Sequence, residues 1–125
     1  MKKIIQTNHA PAAVGPYSQA VEINGFLFIS GQIPMDPETG KVVEGSISEQ
    51  TAQVMQNIRA ILMAAGYGFE HVVKSTCLLS DMDNFKAMNE VYAQYYPEKQ
   101  PARAAFAVKG LPLGVMVEIE TIAAK

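Results

Sequence analysis

The sequence predicts an α+β fold, a two-layer sandwich with two helices packed on a mostly antiparallel sheet. Three observations carry the expectation. β-prone runs flank an Asn24-Gly25 pair, two stretches space apolar residues helically behind cap signals, and two further β-prone runs close the chain. The order reads ββ(β)αβαββ.

Lys3 to Gln6 is a short first strand. Tyr17 to Ile23 and Phe26 to Gly31 pair across Asn24-Gly25, a dipeptide that accepts the positive φ of a two-residue hairpin turn. Pro34, Pro37, Gly40 and Gly45 make the next segment a surface loop. Ser46-Ile47-Ser48-Glu49 fits a capping box, with Ser46 as the cap and Glu49 reaching back. Beyond it, Ile47, Thr51, Val54, Ile58, Ile61, Leu62 and Ala65 recur at helical spacing until Gly66, a favoured residue just past a helix. His71 to Leu79 reads as a buried strand. Asp81 or Asp83 caps a second helix carrying Phe85, Met88, Tyr92 and Tyr95, which Pro97 stops. Arg103 to Val108 and Val115 to Ala124 are strands, and the short joint between them predicts an antiparallel hairpin. In the last strand Val117 and Ile119 face one way, Glu118 and Glu120 the other. Helices cover only one face of such a sheet, so the carboxylate-bearing face is expected to meet other subunits.

With 125 residues the chain is expected to be one domain, 1–125, large enough to fold without a disulfide or metal staple. A net charge of −2, a pI near 5.6 and scattered Lys and Arg argue against a nucleic-acid or membrane surface. The N-terminal lysines precede only two apolar residues, unlike a secretory leader. The single cysteine, Cys77, fits a reducing cytoplasm, the expected location.

Common catalytic machinery is missing from the sequence. It has no phosphate-cradling glycine motif, and two histidines with one cysteine offer no zinc cluster, so no metal or cofactor is expected. His9 and His71 read as surface or capping residues, and Cys77 as an inert core thiol. What remains is the final hairpin. A register pairing 103 with 120 and 105 with 118 would put Arg103, Glu118 and Glu120 on one face; a one-residue slip would not. Arg103 could then grip a carboxylate substrate while a Glu acts as acid or base. Equally, Arg103 could be a cross-strand ion pair, which spacing alone favours.

Several motifs tip that balance. Gly15-Pro16-Tyr17-Ser18-Gln19-Ala20, Phe28-Ile29-Ser30-Gly31-Gln32-Ile33-Pro34, the Gln53 to Gly66 helix with Asn57, Pro101-Ala102-Arg103, Phe106, Gly110-Leu111 and Val117-Glu118-Ile119 together resemble the reactive-intermediate deaminase (RidA, also called YjgF) family over nearly the whole chain. The resemblance implies a chorismate-mutase-like α+β homotrimer with ligand sites between subunits. It also implies cofactor-free hydrolysis of enamines and imines such as 2-aminoacrylate to 2-keto acids and ammonia. By the same resemblance Arg103 grips the substrate carboxylate, Glu118 positions the water, Tyr17 lines the cleft, and Ser30 and Gly31 line the same pocket. Ala105 replaces a cysteine frequent in the family, which removes a thiol and leaves the backbone N–H that would contact ligand. Tyr17 could instead be a core aromatic, Ser30-Gly31 a plain strand end, Asn89 a solvated polar residue and Glu120 an interface charge. The partner implied is a small carboxylate-bearing imine, with no nucleic acid and no membrane. The alternatives are an endoribonuclease or translation inhibitor, against which the acidic pI speaks, and a non-catalytic small-carboxylate-binding module.

Overall fold

The Asn24-Gly25 turn forms as its chemistry dictates. Both residues have positive φ, 51° and 81°, and the turn joins β2 (Ala20–Ile23) to β3 (Phe26–Gln32) in an antiparallel pair. This is a computed structural model that describes residues 1–125. β1 (Lys3–Ile5) pairs with β2, while β4 (Met35–Asp36) and β5 (Lys41–Val42) form a separate two-stranded ribbon within the Pro/Gly-rich loop.

The long helix α1 (Ile47–Ala64) begins with the expected capping box: the Ser46 N–H donates to Glu49 Oε2 at 2.9 Å, and Ser46 Oγ accepts from the Ser48 N–H. It ends in a Schellman arrangement. Gly66, at φ 80°, donates to Met63 O and Tyr67 donates to Leu62 O. A short turn follows, where His71 Nδ1 accepts from the Gly68 N–H at 2.9 Å, so this histidine caps. β6 (Val72–Leu79) leads through an Asp81-capped turn into α2 (Phe85–Ala93), then β7 (Ala102–Ala107) and β8 (Val117–Ala124). No helix is long and apolar enough to cross a membrane.

The expected β7–β8 hairpin does not form. The sheet order is β1-β2-β3-β8-β6-β7, with β8 antiparallel to both β3 and β6, and β7 parallel to β6 at the edge. Two forces explain the difference. β6–α2–β7 is a βαβ unit, whose crossover helix permits parallel pairing. β8 buries Val117, Ile119 and Ala123 completely, which a central strand achieves and an edge strand does not. The joint from Val108 to Met116 has only to cross one strand, about 10 Å in all.

Both helices lie on one face, where Leu27, Val54, Met55, Ile58, Ile61, Leu79, Val117 and Ile119 form a core sealed from solvent. The other face is left bare. Phe28 and Phe106 remain 45% and 48% exposed there, alongside Glu118 and Glu120.

Candidate functional site

The site is built on an irregularity in the β3–β8 ladder. Ile29 pairs with Thr121 but Gln32 pairs with Ile119, so Ser30 and Gly31 together oppose Glu120. Such a bulge redirects side chains at a sheet's surface. Gly31 is what lets Glu118 lie so close. A Cβ added to it would lie 2.0 Å from Glu118 Oε2 and 2.9 Å from its Cδ, so the carboxylate rests on bare backbone. Ser30 Oγ donates to Ser18 O at 2.6 Å, and the Ser30 N–H donates to Gln19 O at 3.0 Å. These bonds fasten the Gly15–Gln19 segment beside the bulge.

That segment carries Tyr17. It does not extend β2, as the sequence reading expects: the strand begins at Ala20, and Tyr17 sits in a tight turn closed by its N–H on Gly15 O at 2.8 Å. Its ring is half exposed and faces a cavity, not the core. Behind it the buried Gln19 amide accepts from the Thr7 N–H and donates to the carbonyls of Thr7, Ala10 and Pro11, tying down the N-terminal loop. Tyr17, Ser30, Gly31, Glu118 and Glu120 thus line one cavity of about 640 Å³, with Val14, Ile33 and Leu113 as apolar wall.

Glu118 is half-buried, and its carboxyl is pushed above the ordinary 4.5, chiefly by burial and then by repulsion from Glu120. A carboxylate with raised proton affinity, open to a cavity beside a phenol and a hydroxyl, can order water and take up its proton. No three His, Cys, Asp or Glu side chains converge anywhere in the chain. Cys77 is fully buried and its thiol is pushed up to about 11, mainly by burial.

Arg103 and Ala105 are not in this cavity. β7 pairs Arg103 with Ser75 and Ala105 with Cys77, and both partners lie on the helix-covered face, opposite Glu118 and Glu120. The register that would place Arg103 beside Glu120 is therefore overturned, because β6 intervenes and the side chains point away from each other. Arg103 instead projects over α2, donating from Nη1 to Asn89 Oδ1 and stacking near Phe85 and Tyr92. The sequence places Phe85 and Tyr92 on the second helix without a role and reads Asn89 as a solvated polar position; the structure turns all three toward Arg103. Their i, i+4, i+7 spacing is the signal that shows them on one stripe. Gln19 falls within the Gly15–Ala20 motif, but no spacing or periodicity in the sequence marks it as the anchor of the N-terminal loop.

Comparison with known proteins agrees with this architecture. The family model described as endoribonuclease L-PSP matches residues 7–125. A RutC family protein of Pyrococcus horikoshii is 55% identical over 100% of this chain and 99% of its own length. The mouse 2-iminobutanoate/2-iminopropanoate deaminase is 49% identical over 98% of this chain and 91% of its own. A crystal structure from Thermotoga maritima superposes with a TM-score of 0.98 at 50% identity, covering 100% of this chain and 98% of that one.

Proposed function

The chain belongs to the RidA/YjgF (endoribonuclease L-PSP) family, and on that premise we propose that it is a cofactor-independent enamine/imine deaminase acting on small 2-imino acids. The observation that carries this reading is Glu118, a half-buried carboxylate of raised proton affinity laid over Gly31 in a cavity beside Tyr17 and Ser30.

The chemistry needs little more. 2-Aminoacrylate tautomerises to 2-iminopropanoate, whose C=N carbon is already electrophilic. Glu118 takes a proton from water as the C–O bond forms, the C=N electron pair moves to nitrogen, and Glu118 passes that proton to the nitrogen to give the neutral carbinolamine. The carbinolamine then collapses: Glu118 takes the hydroxyl proton and passes it to nitrogen, the oxygen electron pair forms the C=O bond as the C–N bond breaks, and ammonia and the 2-keto acid leave. Arg103 grips the substrate carboxylate with its planar fork, and that fixed contact converts encounter into orientation.

Within one chain Arg103 lies two strands away from Glu118 and on the opposite face. The reading therefore requires a second copy, and we take the protein to be a homotrimer in which one subunit's Arg103 half-site closes another's Glu118 half-site. The bare apolar sheet face around Phe28 and Phe106 supports such an assembly. One buried thiol suits the cytoplasm. The endoribonuclease named by the family model fits less well, because Glu118 and Glu120 in one cavity would repel a phosphodiester.

The deciding measurement is 2-keto acid release from freshly generated 2-aminoacrylate, before and after EDTA and dialysis, beside an RNA-cleavage assay. Turnover that survives chelation supports the deaminase. Loss of turnover on chelation, or RNA cut faster than imine hydrolysed, overturns it.

A further inference from the structure

Arg103 is held in an unusual way for a surface arginine. Its hydrogen-bond partner is the amide oxygen of Asn89, not a carboxylate. Its guanidinium carbon stands 5.0 Å from the Tyr92 ring centre and 5.5 Å from that of Phe85. All three partners come from α2 at i, i+4 and i+7, the stripe that Arg103 lies against. Two aromatic faces attract the cation without neutralising it, and the amide accepts a hydrogen bond without carrying charge. The other titratable side chains beside it stay neutral as well. Burial pushes the Cys77 thiol to about 11 and raises the Tyr92 phenol, so neither offers a negative charge at neutral pH. The Tyr92 hydroxyl is buried near Ser75 yet closes no hydrogen bond, so what this residue presents to Arg103 is its ring.

We propose that Phe85, Asn89 and Tyr92 form a neutral cradle that positions Arg103 for the substrate carboxylate while leaving its charge uncompensated. They are positioning residues that act through Arg103, and this inference rests on the deaminase reading above. A carboxylate in the same place would orient Arg103 equally well but would compete with the substrate for the fork. Neutrality is therefore the property that these three residues supply.

Asn89→Asp isolates that property, because it is nearly isosteric and adds only the charge. It should raise KM about tenfold or more with kcat little changed. Phe85→Leu and Tyr92→Leu, which remove a ring face, should each raise KM about five- to thirtyfold. Tyr92→Phe keeps the face and should restore KM to within about twofold of the unmodified chain, a rescue that a purely structural tyrosine in a hydrogen-bond network would not show. Melting temperature and subunit mass, measured on the same preparations, identify any variant that fails to fold. If the unmodified chain turns over imine and a folded Asn89→Asp keeps its KM, the cradle is wrong and the deaminase reading survives. If the unmodified chain shows no turnover, calorimetry with 2-oxobutanoate separates the two: binding that Asn89→Asp weakens retains the cradle without the enzyme, and no binding overturns both.

Discussion

Replacing Gly31 by alanine should disable the site while sparing the fold. The added Cβ would stand 2.0 Å from Glu118 Oε2 and 3.1 Å from its Cγ. Ordinary contact begins at about 3.4 Å, so the carboxylate must retreat by about 1.4 Å and the side chain must leave its rotamer. Because Glu118 is a flexible side chain at the edge of an open cavity, that retreat costs folding stability about 1 kcal/mol or less. Gly31 does not occupy the left-handed region, so no backbone strain is added. Misplacing a catalytic group by an ångström costs about a hundredfold in rate. The expected result is a kcat on 2-iminopropanoate lower by about two orders of magnitude, KM within a few-fold, and an unchanged subunit mass. Combining Gly31→Ala with Glu118→Gln should cost little more than either alone, since both remove one function. A Gly31→Ala protein with full kcat would refute the role given to Glu118. A melting temperature lowered in step with lost activity would make the glycine merely structural.

Arg103→Ala should lower kcat/KM by about thirty- to several-thousandfold, corresponding to about 2–5 kcal/mol, with the assembly intact, and Arg103→Lys should recover only part because an ammonium lacks the fork. A destabilised but fully active Arg103→Ala would sink that assignment. Glu118→Gln should lower kcat and raise the melting temperature at neutral pH. A carboxyl whose folded pKa is raised holds its proton more tightly in the native state, so its stabilising share is full below 4.5 and lost as pH rises through the folded value. The melting-temperature gap between Gln and Glu should therefore widen from pH 4 to neutrality. A gap that closes instead would mean that a neighbouring cation, not burial, governs Glu118. Light scattering should report three subunits at micromolar concentration, and a stable monomer would refute the shared site.

Local chemistry was legible in the sequence wherever one short motif decides one conformation. Asn24-Gly25, the Ser46/Glu49 box and the Gly66 stop each act through backbone groups a few residues away, and each appears as expected. Tyr17 reads as strand in the sequence but lies in a turn, because its segment is held by bonds from Ser30 and the buried Gln19, contacts that span a dozen residues and leave no periodic mark. The order of the last strands departs from the sequence expectation for a related reason. A short joint favours a hairpin locally, but β8 gains more by burying Val117 and Ile119 between two neighbours.

Separating β7 from β8 by β6 has a chemical consequence. Had β7 and β8 paired directly, Arg103 could have lain beside Glu120 and Glu118 in the same chain. A guanidinium there would have lowered the proton affinity of the carboxylate, and the carboxylate would have occupied the fork. Such a pair is close to inert: the Glu becomes a poor proton acceptor, and a substrate carboxylate must displace a rival. Inserting β6 separates the two groups. Glu118 keeps a raised proton affinity among the apolar walls of its cavity, and Arg103 keeps its charge within Phe85, Asn89 and Tyr92. Neither half-site can act without the other, so a topology that holds them apart within one subunit makes assembly the condition for catalysis on the proposed reading.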